Sequence, residues 1–171
     1  MPASVSTPLK LVVDSASLIT AAKFIVDERS VVDHIARRCQ LVIVPAVHSE
    51  VTAASSVHPD AAQVQEMVAD GRIVVEVPLA SDASVLDSYK LGRGEKESII
   101  LTLTQPDMDY LVVDDRLAFV VSDRMTVPKI LLVDLLVELV WKGLLERELC
   151  ERMLRVIEPR YAPGFIPHTP G

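Results

Sequence analysis

Aromatic side chains are scarce in this chain, which has one Trp, three Tyr and three Phe in 171 residues. The apolar half of the composition is mostly Val, Leu, Ile and Ala, the usage expected of parallel strands covered on both faces by helices. Cysteine is nearly absent. Cys39 and Cys150 lie far apart, and neither has a second Cys or a His at ligand spacing, which excludes a zinc motif and a disulfide framework and leaves two free thiols. No apolar run approaches the ~20 residues that a membrane helix requires, and the amino terminus lacks the charged start and apolar region of a secretory signal. The expectation is a soluble, cytoplasmic protein with no membrane partner. Positive charge is also short, with 17 Lys and Arg against 24 Asp and Glu, a net charge of −7 and a pI near 5.0. That balance argues against broad electrostatic capture of nucleic acid, so any such contact must be local.

The length suits one domain with a substantial core. Residues 1–8 read as a loose leader, 9–158 as the domain, and 159–171, with four prolines and two glycines, as an irregular tail. Apolar runs at 9–13, 41–44, 73–77 and 110–113 read as strands, and the segments between them read as helices. Amphipathic spacing of Val31, Val32, Ile35 and Ala36 predicts a helix over 27–38. Pro45 and Pro59 open two more helices, the second stopped at Asp70-Gly71. Ser81-Asp82 begins a short helix toward Tyr89, and the apolar stretch 130–141 is a helix whose stripe is core before it is dimer surface. The predicted class is α/β, a three-layer αβα sandwich around a central, mainly parallel sheet of four to five strands.

Acidic residues stand where these runs stop: Asp14 after the first, Glu50 just past the second, Glu97 after Gly94, and Asp114-Asp115 after 110–113. In one parallel sheet they converge on its carboxyl edge. Carboxylates brought that close repel, and burial penalises each charge, so such a cluster usually persists around something positive. Oxygen-only ligands favour Mg²⁺ or Mn²⁺ over zinc, which makes phosphate chemistry the first expectation. Each acid also has a plainer role. Asp14 can be a helix N-cap, although Ser15 and Ser17 can supply that cap and free it. Glu50 can be a solvated helical residue. Glu95 and Glu97, two apart on a helix, cannot face the same way. Asp114 can be an N-cap, a second ligand or a water-positioning residue. Arg93, Lys96 and Arg116 flank the acids, either as ion-pair partners or as phosphate holders. His34, His48, His58 and His168 form no metal motif and read as structural or exposed.

Four segments together resemble the PIN-domain ribonucleases, including VapC-like toxins and related stand-alone proteins. They are Val13-Asp14-Ser15 with Leu18-Ile19; Val44-Pro45 with Val47 and Glu50-Val51; Leu91-Gly92-Arg93-Gly94-Glu95-Lys96-Glu97-Ser98-Ile99; and Leu111-Val112-Val113-Asp114-Asp115-Arg116. The resemblance spans roughly residues 9–145. It implies an endoribonuclease using Mg²⁺ or Mn²⁺, with Asp14, Glu97 and Asp115 as metal ligands, Asp114 beside them, and Glu50 direct or through water. It picks Glu97 as the inward acid and leaves Glu95 to stabilise the helix start, and it makes Asp115 the better ligand of the pair. It further implies an RNA substrate held by Arg93, Lys96 and Arg116, a homodimer and, for a toxin, a cognate antitoxin covering the cleft. After the last acidic strand the family's small polar stretch is replaced here by residues 121–128, where Ser122 or Thr126 is the candidate.

A receiver domain of two-component signalling would need more chain after Asp114-Asp115 than remains. A haloacid-dehalogenase-like phosphatase would want an acid at position 16, where Ala16 stands. The remaining alternative is a catalytically silent PIN-like module that acts through a protein partner.

Overall fold

The computed structural model describes residues 7–79 and 84–161. In chain order the elements are β1 (Lys10–Val13), α1 (Ser15–Lys23), β2 (Ile25–Val26), β3 (Arg29–Ser30), α2 (Val31–Ala36), β4 (Gln40–Ile43), α3 (Pro45–Ala54), α4 (Pro59–Ala69), β5 (Ile73–Val75), α5 (Arg93–Thr104), β6 (Tyr110–Val112), α6 (Arg116–Arg124), β7 (Lys129–Ile130), α7 (Leu132–Trp141) and α8 (Arg147–Ile157). A 3₁₀ turn, Ser84–Ser88, follows β5. The expected start of that helix at Ser81-Asp82 lies outside the described residues, as do His168, residues 1–6 of the leader and 162–171 of the tail.

Five strands form one sheet in the order β5-β4-β1-β6-β7, every pairing parallel. With helices on both faces, it is the three-layer αβα sandwich expected from the sequence. Continuous apolar strands are what such a sheet requires, and Leu11, Val12, Leu41, Val42, Leu111 and Val112 are all within 2% of full burial. From β1 the chain moves outward through β4 to β5, then returns to the other side of β1 for β6 and β7. The order therefore reverses between β1 and β6, and the carboxyl ends of those two strands flank the crevice where open α/β sheets place their sites.

Helix boundaries follow from local chemistry. Pro45 and Pro59 begin α3 and α4, where a missing N–H is harmless. Gly71 ends α4 at φ +82°, a left-handed conformation that lets Arg72 N–H reach back to the Met67 carbonyl at 2.9 Å. The stripe on α7 buries Leu132, Leu135, Leu136 and Leu139, while Trp141 stays 78% exposed. Cys39 and Cys150 are free and buried, and burial pushes the Cys39 thiol up to about 11. His34 is structural, its Nε2 2.8 Å from the Val26 carbonyl. Among the described residues no helix is long and apolar enough to cross a membrane.

Two expectations about elements need correction. Residues 27–38 are not one helix, because Asp27 and Glu28 take φ of +52° and +64° and turn a short antiparallel hairpin between β2 and β3. The helix starts only after Ser30, whose hydroxyl accepts from Asp33 N–H at 3.2 Å. The helix expected over 130–141 starts only at Leu132, because Ile130 belongs to the short strand β7, which pairs with β6 through Leu111–Lys129 and Val112–Ile130.

The hairpin turn carries a testable strain. Successive positive φ values belong to a two-residue turn that favours Asp-Gly, and an L-residue in that region costs about 1–2 kcal/mol. Glu28→Gly removes the clash and loses part of the gain to unfolded-chain entropy. The expected outcome is a net gain of about 0.5–1 kcal/mol, seen as a rise of roughly 1–4 °C in calorimetric Tm. The ion pair of Asp27 with Arg152, at 2.6 Å, keeps the turn anchored on α8 in both proteins.

Candidate functional site

Asp14 leaves β1 directly at the reversal point. Its backbone N–H donates to the Val112 carbonyl of β6 at 3.1 Å, which fixes it between the two central strands. It also caps α1, with Oδ1 accepting from Ser17 N–H at 2.8 Å, so neither serine relieves it of that role. Only 2% of the residue is exposed. Burial first, and then the charges of Asp114 and Glu95, push the carboxyl up to about 7 against the pull of Ser17. A carboxylate this desolvated, with acids as its charged neighbours, is an uncompensated negative centre.

The acidic pair after β6 divides its work. Asp115 is the N-cap of α6, its Oδ1 accepting from Ala118 N–H at 2.8 Å. Asp114 turns to the other side, where Oδ1 accepts from Leu132 N–H at the start of α7 at 3.0 Å and Oδ2 accepts from the Tyr161 hydroxyl at 2.7 Å. Of the three roles open to Asp114, the observed one is closest to a cap, but for a helix 18 residues further on. The Asp114 charge also reaches Asp134 in the first turn of α7, whose carboxyl is raised chiefly by burial.

On α5 the two glutamates part as helical spacing demands, and both are partly buried, Glu97 beside buried Gly94 and Leu101. Ser98, Ile99 and Thr102, at three, four and seven residues beyond Glu95, are all buried, so Glu95 shares the covered face of the helix. Its carboxyl is raised, first by burial and then by the charges of Asp115 and Glu50, while the Gly92 N–H at 2.8 Å holds it down. Glu95 thus does support the helix start, and it also faces the acids. Glu97 reaches toward α3, where Oε2 accepts from Ala46 N–H at 3.1 Å and Oε1 accepts from Arg93 Nε at 3.0 Å. Glu50 is exposed and accepts a hydrogen bond from the Ser15 hydroxyl at the start of α1. Gly94 permits this approach of α3 to α5, because a Cβ there would stand 3.0 Å from Glu50 Oε1 and 3.1 Å from a Val47 methyl.

The acids therefore share one edge and feel one another, yet among the described residues no three of them close on a common point as ligands. Most hold a backbone N–H or hydroxyl with one oxygen, and the enclosed ligand set expected from the sequence is not formed. Their chemistry nevertheless fits a hard divalent cation: all donors are carboxylate oxygens, and buried Asp14 lacks a compensating charge. The basic residues lie at the rim. Arg93 is mostly exposed and paired with Glu97; Lys96 pairs with Asp87 at 3.3 Å. Arg116, at the start of α6, is exposed and forms no ion pair among the described residues. Of the polar residues suggested for 121–128, Ser122 is buried and donates to the Ala118 carbonyl at 2.7 Å, a bond internal to α6, and Thr126 is exposed at φ +59°.

Three contributors escaped the sequence reading: the inward face of Glu95, the Ser15 contact to Glu50, and Tyr161. The first is not legible in the sequence, because two of the residues that share its buried face, Ser98 and Thr102, are polar. Nothing local signals the last, which reaches Asp114 across 47 residues.

The raised Asp14 carboxyl sets a pH dependence. The folded protein keeps the Asp14 proton up to about pH 7, whereas the unfolded chain releases it near 3.8. Freed of divalent cations, the protein is expected to lose stability as pH rises from about 4 to about 7, by up to about 1.4 kcal/mol per pH unit from this group, and to level off above it. Glu95 and Asp134, also raised, add slopes of the same sign. Asp14→Asn keeps the cap and removes the charge, so its denaturation midpoints in urea should vary less with pH. A wild-type stability that climbs from pH 4 to 7 would contradict the burial of this charge.

The family model DUF3368, a PIN domain, matches residues 10–165, nearly the whole chain. No curated protein matches it. The parallel five-stranded sheet, the acids gathered at its reversal point and the extent of that match agree on a nuclease-type fold, and the chain belongs to the PIN-domain family.

Proposed function

We propose that this protein is a divalent-metal-dependent endoribonuclease working at the carboxyl edge of β1 and β6. The observation that carries the reading is Asp14, a buried carboxylate whose charged neighbours are acids. Asp14, Glu50, Glu95 and Asp115 would hold Mg²⁺ or Mn²⁺. Glu97 and Asp114 would support them, Glu97 by bridging Arg93 to the start of α3 and Asp114 by fixing the start of α7. A bound cation supplies a positive centre that lowers the pKa of water and offsets charge developing on a phosphodiester. The remaining work falls to the chain. Backbone bonds from Ser17 and Ala118 hold Asp14 and Asp115 in fixed orientations, so little reorganisation is needed when charge develops. Arg116 and Arg93, both exposed at the rim, present planar donors suited to RNA phosphates, and Lys96 adds a point charge. An RNA substrate, homodimer assembly, cytoplasmic action and a toxin role with a cognate antitoxin belong to the same proposal and follow from the family resemblance.

A second reading, a silent PIN-like module that binds a protein partner, is favoured by one observation. The carboxylates are occupied by caps and do not close as a ligand set among the described residues.

Cleavage of a mixed single-stranded RNA pool with Mn²⁺, or with EDTA, separates the two. The nuclease reading expects Mn²⁺-dependent cleavage that falls at least 100-fold, about 2.7 kcal/mol of barrier, in Asp14→Asn and Glu95→Gln, and by less than tenfold in Glu97→Gln. Arg116→Ala should raise KM more than it lowers kcat, because its contact is with bound phosphate. Mn²⁺ binding without turnover in the wild-type protein would leave the binding module standing instead.

A further inference from the structure

Tyr161 follows α8 through the short turn Glu158–Arg160, where its N–H donates to the Glu158 carbonyl at 3.0 Å. Its ring is half-buried and its hydroxyl donates to Asp114 Oδ2 at 2.7 Å. Asp114 Oδ1 is engaged by Leu132 N–H, so both oxygens of this acid are occupied, one from α7 and one from the end of the domain. The Asp114 charge is also felt by Asp14 and Asp134. The Asp14 charge reaches the Tyr161 phenol as well, which places that hydroxyl at the same acidic edge.

We infer that Tyr161 is a positioning residue of this edge, one that ties Asp114 down and thereby weakens the site's hold on a divalent cation. The inference rests on the acidic edge being a cation site. A phenol donor on Oδ2 spreads the Asp114 charge and takes an oxygen out of reach of an ion. Without it, Asp114 turns more freely toward Asp14, and the negative potential there is less compensated. The carboxyl-terminal end of the domain so sets how strongly the opposite end of the chain binds metal. A partner or substrate that lifts Tyr161 away would strengthen metal binding at Asp14.

Tyr161→Phe isolates the hydroxyl while keeping the ring. Mn²⁺ titration of the full chain by calorimetry, with Tm recorded alongside, should show the variant binding three- to tenfold more tightly. A double-mutant cycle with Asp114→Asn should abolish that gain, since the effect runs through the Asp114 carboxylate. A merely structural tyrosine would lower Tm and leave the Mn²⁺ Kd within twofold of wild type; that result overturns the inference, as does a gain that persists in the Asp114→Asn background. Wild-type binding with no change in the variant defeats this inference alone. Absence of Mn²⁺ binding in both proteins defeats the cation site too, whereas binding by the variant only would support a tether strong enough to shut the site.

Discussion

A charge that the fold buries and does not neutralise is the constraint on which this structure turns. Asp14 is fixed by its N–H to Val112 and by its cap on α1, and neither bond can be given up without loosening the junction of β1 with β6. Burial of the carboxylate follows from that position, and the raised carboxyl follows from burial. The neighbouring acids add repulsion. This position of Asp14 is the observation on which the proposed cation site rests.

The other acids reconcile stability with reactivity in the same way. Asp115 closes the start of α6, Asp114 the start of α7, Glu95 the start of α5, and Glu97 the start of α3. Each accepts from a backbone N–H at or just before a helix start, and each is favoured there by the helix dipole. One set of side chains thus organises four helix entries around the crevice and lines it with negative charge. The dipoles soften the repulsion among the acids without removing it. Basic residues stay outside, on the rim, and leave Asp14 uncompensated.

Much of this was legible in the sequence because it is local. Continuous Val, Leu and Ile runs announce doubly covered strands, and an acid just past each run lands on the carboxyl edge of any parallel sheet. Asp14 and Asp115 were found that way. The reading went astray where the deciding contact was distant or the backbone unusual. Positive φ at Asp27 and Glu28 broke a helical period that the apolar residues alone support. Family spacing left Glu95 to the helix start alone, whereas in the fold it also shares a covered face with Ser98, Ile99 and Thr102. Tyr161 lies at the edge of a proline-rich segment with no period to read, and only the folded chain brings it to Asp114.

Under the proposed function, Asp14 stays charged at neutral pH chiefly by virtue of a bound cation. Carboxyl ¹³C chemical shifts of Asp14, followed against pH in protein stripped of divalent ions and again with saturating Mg²⁺, test it most directly. The account predicts a midpoint near 7 without the ion and a fall of at least about two pH units with it, the ion supplying what burial removes. A midpoint near the ordinary 3.8 in the stripped protein, unmoved by Mg²⁺, would contradict it.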